Sequence, residues 1–382
     1  MVDDLKALDI DVAIADEAHR LKSRTSATYK SMIQIQPKYR FASTGTPMQN
    51  QFEELHSLMS WVDTTVLGNV TAFRKRYIVY ADRFGRRFVP IGHKRQGELR
   101  RRISPVMLRR MKKEVAPELP DMIPHVYDIP MNAVQTKVYD LVNEEFKSFL
   151  EEIQEFSEQA KGQMLNGVWT QEKHPKEDKI LGYLNMMLAI ADDPYLLHMS
   201  DSYMSNCYKS MIPKDVKSPK IDELELIVKE QIESGNKIVI FTQFTRMQKR
   251  VMDRLNTFCK AIAVNGSMKA YEKQAAINRF KWEDINVLVG TDAINYGVNL
   301  QFANVLIHME CPYNPAIVDQ RNGRVHRIGG EHDSVNIIYL VTQGSIDEKI
   351  QETLKEKRKL SEQVIERNAT ERNVMNQLLT QV

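Results

Sequence analysis

The chain has 382 residues, 42% of them apolar and 27% charged, with a formal net charge of +3. That length exceeds what one hydrophobic core usually serves, and the apolar content excludes a wholly disordered chain, so two or three domains are expected. The near-balanced charge identifies no partner, because basic and acidic residues on different faces cancel in the sum. Cys207, Cys259 and Cys311 are far apart and form no C-x-x-C pair, so neither a disulfide framework nor a zinc site is expected. No apolar run approaches the roughly 18 residues that a membrane span requires. The N-terminus is acidic where a signal peptide would be basic, which predicts a soluble, cytoplasmic protein without membrane partners. Asn368-Ala369-Thr370 is a chance glycosylation triplet in such a chain.

In chain order, residues 10–19 form a short apolar run that stops at Asp16, as a buried parallel strand does where it meets a site. A second run, residues 39–44, ends at Gly45-Thr46-Pro47. Ligands of open α/β sheets sit beyond the carboxyl ends of strands, so both junctions point toward one crevice. From about Phe52 to Lys113 the pattern is helical, and from Asp82 onward Arg83, Arg86, Arg87, Lys94, Arg95, Arg100, Arg101, Arg102, Arg109, Arg110, Lys112 and Lys113 crowd together with few acids between them. This stretch is assigned to contact with a nucleic-acid backbone rather than to a merely solvated face. Val134, Val138, Leu141, Val142, Phe149, Leu150 and Ile153 recur at helical spacing, and loops are expected around 157–178 and 200–217.

At Ser218-Pro219 a helix begins, with Ser as cap, Pro in the first turn and Ile221, Leu224 and Ile227 on one face. Strand candidates at 237–241, 261–266, 286–290, 304–310 and 336–340 alternate with helical stretches, the pattern of a doubly wound parallel sheet. Residues 345–360 then read as an amphipathic helix capped by Ser345, with Ile346, Ile350 and Leu354 inward.

Asp16-Glu17-Ala18-His19 has three informative positions, and such a tetrapeptide arises by chance in roughly one chain of this length in twenty. Its place at the end of an apolar strand adds meaning. An Asp there can hold Mg²⁺ through water while the neighbouring Glu orients or deprotonates an attacking water; the alternative is an acidic cap on the next helix. Further on, Gln320, Arg324 and Arg327 fall at i, i+4 and i+7, so a continuous helix would align them. Two guanidinium groups so placed suit the charge on a transferring phosphoryl group. A solvated basic helix would not explain Gly323 within it, which costs about 1 kcal/mol against Ala. The segment 290–300 follows a strand and carries glycine where backbone must approach something closely.

Taken in order, these segments resemble the Swi/Snf-type helicase-like ATPases of helicase superfamily two over nearly the whole chain. Asp16-Glu17-Ala18-His19 looks like motif II and Ser43-Thr44-Gly45-Thr46-Pro47-Met48-Gln49-Asn50 like motif III, with Thr44, Gly45 and Thr46 as coupling residues. Leu108 to Val115, ending at Leu119-Pro120, resembles a segment characteristic of this family. Residues 237–244 look like motif IV, Asn265-Gly266-Ser267 like the conserved turn after it, Thr291-Asp292-Ala293 with Gly297, Asn299 and Leu300 like motif V, and Gln320, Arg324 and Arg327 like motif VI.

The resemblance implies a partial first RecA-like lobe in 1–120, a helical insertion and linker in 121–217, and a complete second RecA-like lobe in 218–382. It implies Mg²⁺ and ATP hydrolysed between the lobes, with Asp16, Glu17 and the arginine fingers Arg324 and Arg327 catalytic, and His19, Gln320 and Gly297 at the nucleotide. DNA, in double-stranded form, would meet Arg100, Arg101, Arg102, Arg109, Arg110, Lys112, Thr242, Gln243, Asn265 and Thr291. The wording around 291–303 leans toward bacterial or viral members over nucleosome remodellers.

The family's phosphate-binding loop, G-x-x-x-x-G-K-[ST], occurs nowhere in the 382 residues. Activity is therefore expected to need an upstream Walker A segment, in cis or in trans, without which the β- and γ-phosphates lose much of their cradle. Two other readings are a non-catalytic nucleic-acid-binding remnant of the scaffold and a strand-separating DEAH-type helicase. The intact carboxylates and arginines disfavour the first, and the segment from Leu108 to Pro120 disfavours the second.

Overall fold

The computed structural model describes residues 2–45, 52–83, 86–108, 116, 118–161, 175–294, 298–313 and 315–363. The chain divides into two compact units, Met1–Met111 with Glu152–Gly167 and Lys359–Gln377, and Lys112–Glu151 with Val168–Arg358 and Leu378–Val382. Among the described residues no helix is long and apolar enough to cross a membrane.

The first unit opens with α1 (Val2–Lys6), β1 (Val12–Ala15), α2 (Ala27–Met32) and β2 (Tyr39–Ala42). The two strands pair in parallel, Val12 opposite Tyr39 and Ala15 opposite Ala42. Helices α3 (Phe52–Val62), α4 (Thr64–Leu67) and α5 (Val70–Tyr77) follow. One part of α3 sends Leu58 and Trp61 against Ala18, Leu21 and Tyr29, where the small residues Ala13, Ala15 and Ala42 of the strands let the layers approach. Another part packs Phe52, Leu55 and Met59 with Leu67, Phe73, Tyr77 and Ile78. The opposite face of the strand pair is bare: Val12, Ile14, Tyr39 and Phe41 are 48%, 73%, 64% and 58% exposed.

The expected helical stretch after Phe52 is interrupted by an antiparallel hairpin, β3 (Ile78–Arg83) and β4 (Arg86–His93), before α6 (Gln96–Ile103) resumes it. The physical reason lies in its residues. Val79, Tyr80, Phe88, Val89 and Ile91 favour extended backbone, and Pro90 has no place inside a helix. On α6, Leu99 is buried in the cluster around Phe73, while Arg100, Arg101 and Arg102 are exposed in its last turn. Cations there sit favourably at the negative end of the helix dipole.

The second unit holds a six-stranded, all-parallel sheet in the order β5-β10-β9-β6-β8-β7. The elements from here on in the chain are β5 (Asp121–Ile129), α7 (Ala133–Lys161), α8 (Pro175–Asp192), α9 (Tyr203–Tyr208), α10 (Pro219–Glu233), β6 (Ile238–Phe241), α11 (Thr245–Leu255), β7 (Ala261–Val264), α12 (Ala270–Trp282), β8 (Val287–Gly290), β9 (Val305–His308), α13 (Pro315–Val325), β10 (Ser334–Thr342) and α14 (Ile346–Gln363). The five strands anticipated from apolar runs are all present. Every residue of β6, β8 and β9 is buried, as expected for strands covered on both faces.

The sixth strand, β5, carries no such run. Most of its residues are exposed, it contains Pro124, and it lies at the sheet edge, where a missing N–H is tolerated. Nine residues of β5 nonetheless pair with β10, from Asp121 opposite Ser334 to Ile129 opposite Thr342. The loop expected at 157–178 is helical at both ends, in α7 and α8, and its middle lies outside the described residues. The loop expected at 200–217 contains α9, capped by the Ser202 hydroxyl, which accepts from Ser205 N at 3.1 Å.

The start of α10 is as anticipated. Ser218 Oγ accepts from Ile221 N at 3.3 Å, and Ile221, Leu224 and Ile227 are buried. Next to this cap, Lys220 is completely buried. Its ammonium donates to Asp192 Oδ1 at 2.8 Å, to the Met309 carbonyl at 3.1 Å, and to Asp347 Oδ2. One cation thus joins the ends of α8 and β9 to the starts of α10 and α14. Removing it would strand two carboxylates in the core. Lys220→Ala is expected to cost about 3–5 kcal/mol in urea unfolding, and adding Asp192→Asn with Asp347→Asn to Lys220→Met is expected to recover most of the loss. An unchanged midpoint for Lys220→Ala would contradict this role.

Candidate functional site

In the first unit, the site residues follow from the parallel pair. Ala18 N donates to the Ser43 carbonyl at 2.9 Å and Ser43 N to the Ala15 carbonyl at 2.9 Å, so the segments after β1 and β2 leave the sheet side by side. Asp16 is exposed, and its Oδ1 accepts from Glu17 N at 2.9 Å. Glu17 adopts the left-handed conformation, φ 47°, which turns the chain sharply into the short helical turn Ala18–Leu21. His19 is buried with Nδ1 3.1 Å from Glu17 Oε2. Burial lowers its pKa, against the opposing pull of Glu17, so the imidazole is neutral at neutral pH. Thr44 is half-buried and Gly45 exposed; Thr46 lies outside the described residues.

In the second unit, α13 ends at Val325. It therefore carries Gln320 and Arg324, but Arg327 falls beyond its last turn and is exposed, so the expected three-residue face is cut to two. Arg324 is buried, with Nη1 donating to the Val298 carbonyl at 3.2 Å, while its own carbonyl accepts from Leu300 N at 3.1 Å. Gln320 is half-buried. Gly297, Arg109, Arg110 and Lys112 lie outside the described residues. The close approach expected of a glycine in this region is seen at Gly290: a Cβ there would stand 2.2 Å from Ile294 Cδ1.

Two of the residues expected at nucleic acid have their side chains turned inward. Thr242 is fully buried, and Thr291 is buried with its N–H bonded to the Val264 carbonyl at 3.1 Å. Both hold the bases of their loops. Asn265 is half-buried, its amide donating to Gln248 Oε1 at 3.0 Å and its Oδ1 accepting from Ser267 Oγ at 2.6 Å. Gln248 in turn donates to the Val264 and Val289 carbonyls, locking the ends of β7 and β8 to α11.

Two residues that organise this end of the sheet escaped the sequence reading. Arg321, one position from Gln320, has no exposed surface; Nε and Nη2 fork onto Asp292 Oδ1 at 3.1 and 2.6 Å, and Nη1 reaches the Glu310 carbonyl at 3.4 Å. Its guanidinium lies 5.1 Å from the centre of the Phe241 ring. Glu310, just past β9, is fully buried; its Oε1 accepts from Thr242 Oγ1 at 2.9 Å and from the Gln243 amide. Burial raises its pKa to about 7, with Arg321, the Gln243 amide and Lys220 pulling the other way. The only hint in sequence was an acid at the end of an apolar strand, the same signal that marks Asp16.

Comparison with known proteins assigns the chain to a family. Residues 1–181 match the SNF2-related domain and residues 219–329 the helicase conserved C-terminal domain. The chain belongs to the Swi/Snf type of helicase-like proteins. It is 29% identical over 371 residues to human chromodomain-helicase-DNA-binding protein 1, covering 93% of this chain and 19% of that protein. It is 25% identical over 374 residues to the CHD3-type chromatin-remodeling factor PICKLE of Arabidopsis thaliana, covering 94% of this chain and 24% of that one. The chain thus spans a quarter or less of the length of these two relatives. Among solved structures, the Sulfolobus solfataricus SWI2/SNF2 ATPase core in complex with dsDNA is similar at 26% identity, with a TM-score of 0.48, covering 94% of this chain and 69% of that one.

The Glu310 carboxyl gives a prediction with a definite sign. Its raised pKa means that the unfolded chain releases this proton first as pH rises, so the wild type loses stability from about pH 4.5 through about 7. Glu310→Gln cannot titrate. Measured against that variant, the wild type is expected to lose roughly 2–3 kcal/mol more between pH 5 and 8. A difference that stays flat, or runs the other way, would show that the carboxyl is not held protonated by its surroundings.

Proposed function

We propose that this chain is part of an ATP-driven translocase on double-stranded DNA. The first unit contributes the carboxylates Asp16 and Glu17, and the second contributes Arg324 and Arg327. The observation that carries this reading is an SNF2-related domain and a helicase C-terminal domain in one chain, each presenting charged residues at the carboxyl ends of its parallel strands. That edge of an open α/β sheet is where ligands bind. The names of the relatives, which speak of a helicase, DNA binding and chromatin remodelling, support the same class of activity.

Asp16 is fit to hold Mg²⁺. It is exposed, one of its oxygens is oriented by the Glu17 amide, and Mg²⁺ bound chiefly by water and phosphate needs only one or two carboxylates. The ion would neutralise phosphate charge when bound. Glu17 would position the attacking water and accept its proton. Arg324 would then offer its guanidinium to the phosphates in place of the Val298 carbonyl it now contacts.

The phosphate-binding loop must come from another segment of polypeptide in this reading. Support comes from the bare face of the β1–β2 pair. A parallel sheet is normally covered on both faces, and two cross-strand pairs of large apolar side chains mark a surface built to be covered. By itself the chain is expected to turn over ATP negligibly in the presence of duplex DNA. Steady-state hydrolysis by the isolated chain, abolished by Arg324→Ala, would defeat that expectation.

The exposed Arg100, Arg101 and Arg102 of α6 are assigned to the DNA backbone. Such contacts weaken with salt and ignore sequence. Replacing all three by Gln is expected to reduce the magnitude of the slope of log affinity against log salt by about 2–3 on a 30-base-pair duplex. An unaltered slope would remove α6 from the interface.

A further inference from the structure

The sheet of the second unit reverses its winding at β6. The chain passes from β6 to β7 and β8 on one side, then crosses to β9 and β10 on the other. The crevice at such a reversal, beyond the carboxyl ends of the two central strands, is the part of the sheet best placed to receive a ligand. Here the two strands are β6 and β9, paired with Phe241 opposite His308. Glu310 leaves β9 and closes on the start of the β6–α11 loop: its Oε1 receives both the Thr242 hydroxyl and the Gln243 amide. Its own carbonyl receives Arg321, whose other two nitrogens hold Asp292 at the turn after β8. The loops that follow β6, β8 and β9 therefore share one buried set of bonds. No other described acceptor takes the Thr242 hydroxyl or the Gln243 amide.

We propose that Glu310 is a positioning residue for DNA engagement by the second unit: its carboxyl sets the loop after β6, while its main-chain carbonyl is joined through Arg321 and Asp292 to the turn after β8, so that both reach the duplex in one fixed register. The proposal rests on the DNA-translocase reading given above. Glu310 touches no ligand itself. What matters is an acceptor oxygen at the Oε1 position, and the protonated carboxyl, the carboxylate and an amide all provide one. Oε2 is buried and has no hydrogen-bond partner among the described residues.

The test uses the full chain and a fluorescent 30-base-pair duplex, with anisotropy for affinity and thermal unfolding run in parallel. Glu310→Gln keeps the acceptor and is expected to bind within about twofold of the wild type, whereas Glu310→Leu, which frees two buried donors, is expected to bind roughly tenfold more weakly. The positioning role predicts that Thr242→Val weakens binding when made alone and adds little on the Glu310→Leu background. A folded Glu310→Leu with wild-type affinity overturns the proposal, and so does simple additivity with Thr242→Val. A loss of thermal stability at unchanged affinity shows a structural role only, which also overturns it.

Should Glu310→Leu not fold, hydrogen exchange on the wild type decides. Segments 242–244 and 290–294 are expected to gain protection together when duplex is added, and protection of neither, or of one alone, overturns the proposal. If the wild-type chain binds no duplex, the DNA reading itself falls, a result distinct from all of these.

Discussion

A charge taken out of water must be met by a partner or it opposes folding, and the second unit of this protein buries several at once. Lys220, Arg321, Asp192 and Glu310 have no exposed surface, and Asp347 has almost none. None of them could be accommodated singly. Lys220 takes Asp192 and Asp347, Arg321 takes Asp292, and Glu310 takes backbone and hydroxyl donors from the neighbouring loop. The effect is that loops at the carboxyl edge of the sheet, which would otherwise be the most adaptable parts of the fold, are tied to groups that cannot shift without exposing a naked charge.

The apolar core of the second unit was legible because its central strands are short runs of Val, Ile and Leu, and nothing else in the chain has that texture. Ser218, Pro219 and Ser345 marked helix starts for equally local reasons. What could not be read were features decided by partners distant in sequence. The strand β5 owes its conformation to β10, more than 200 residues away, and its own residues, with Pro124 among them, advertise nothing. The hairpin β3–β4 was hidden by the density of arginine around it, which drew attention to charge and away from the alternation of Val, Tyr, Phe and Ile beneath.

The site shows the same division. The position of Asp16 and Glu17 just past the end of a strand was evident from one apolar run and its ending. Arg324 was evident from spacing on a helix, but the helix stops at Val325, so the same spacing misplaced Arg327. Arg321 and Glu310 were passed over because burial, the property that makes them important, leaves no trace in a one-dimensional pattern. A basic residue in a basic helix looks solvated until the sheet beneath it is known.

The backbone at Glu17 carries a further implication. A left-handed turn at a residue other than glycine costs on the order of 1 kcal/mol, and a glutamate, unlike an asparagine, has no short side-chain bond to offset it. Glycine would be the restful choice for the polypeptide at that corner. Folding alone therefore favours glycine there, and the chain carries the glutamate at a cost in stability.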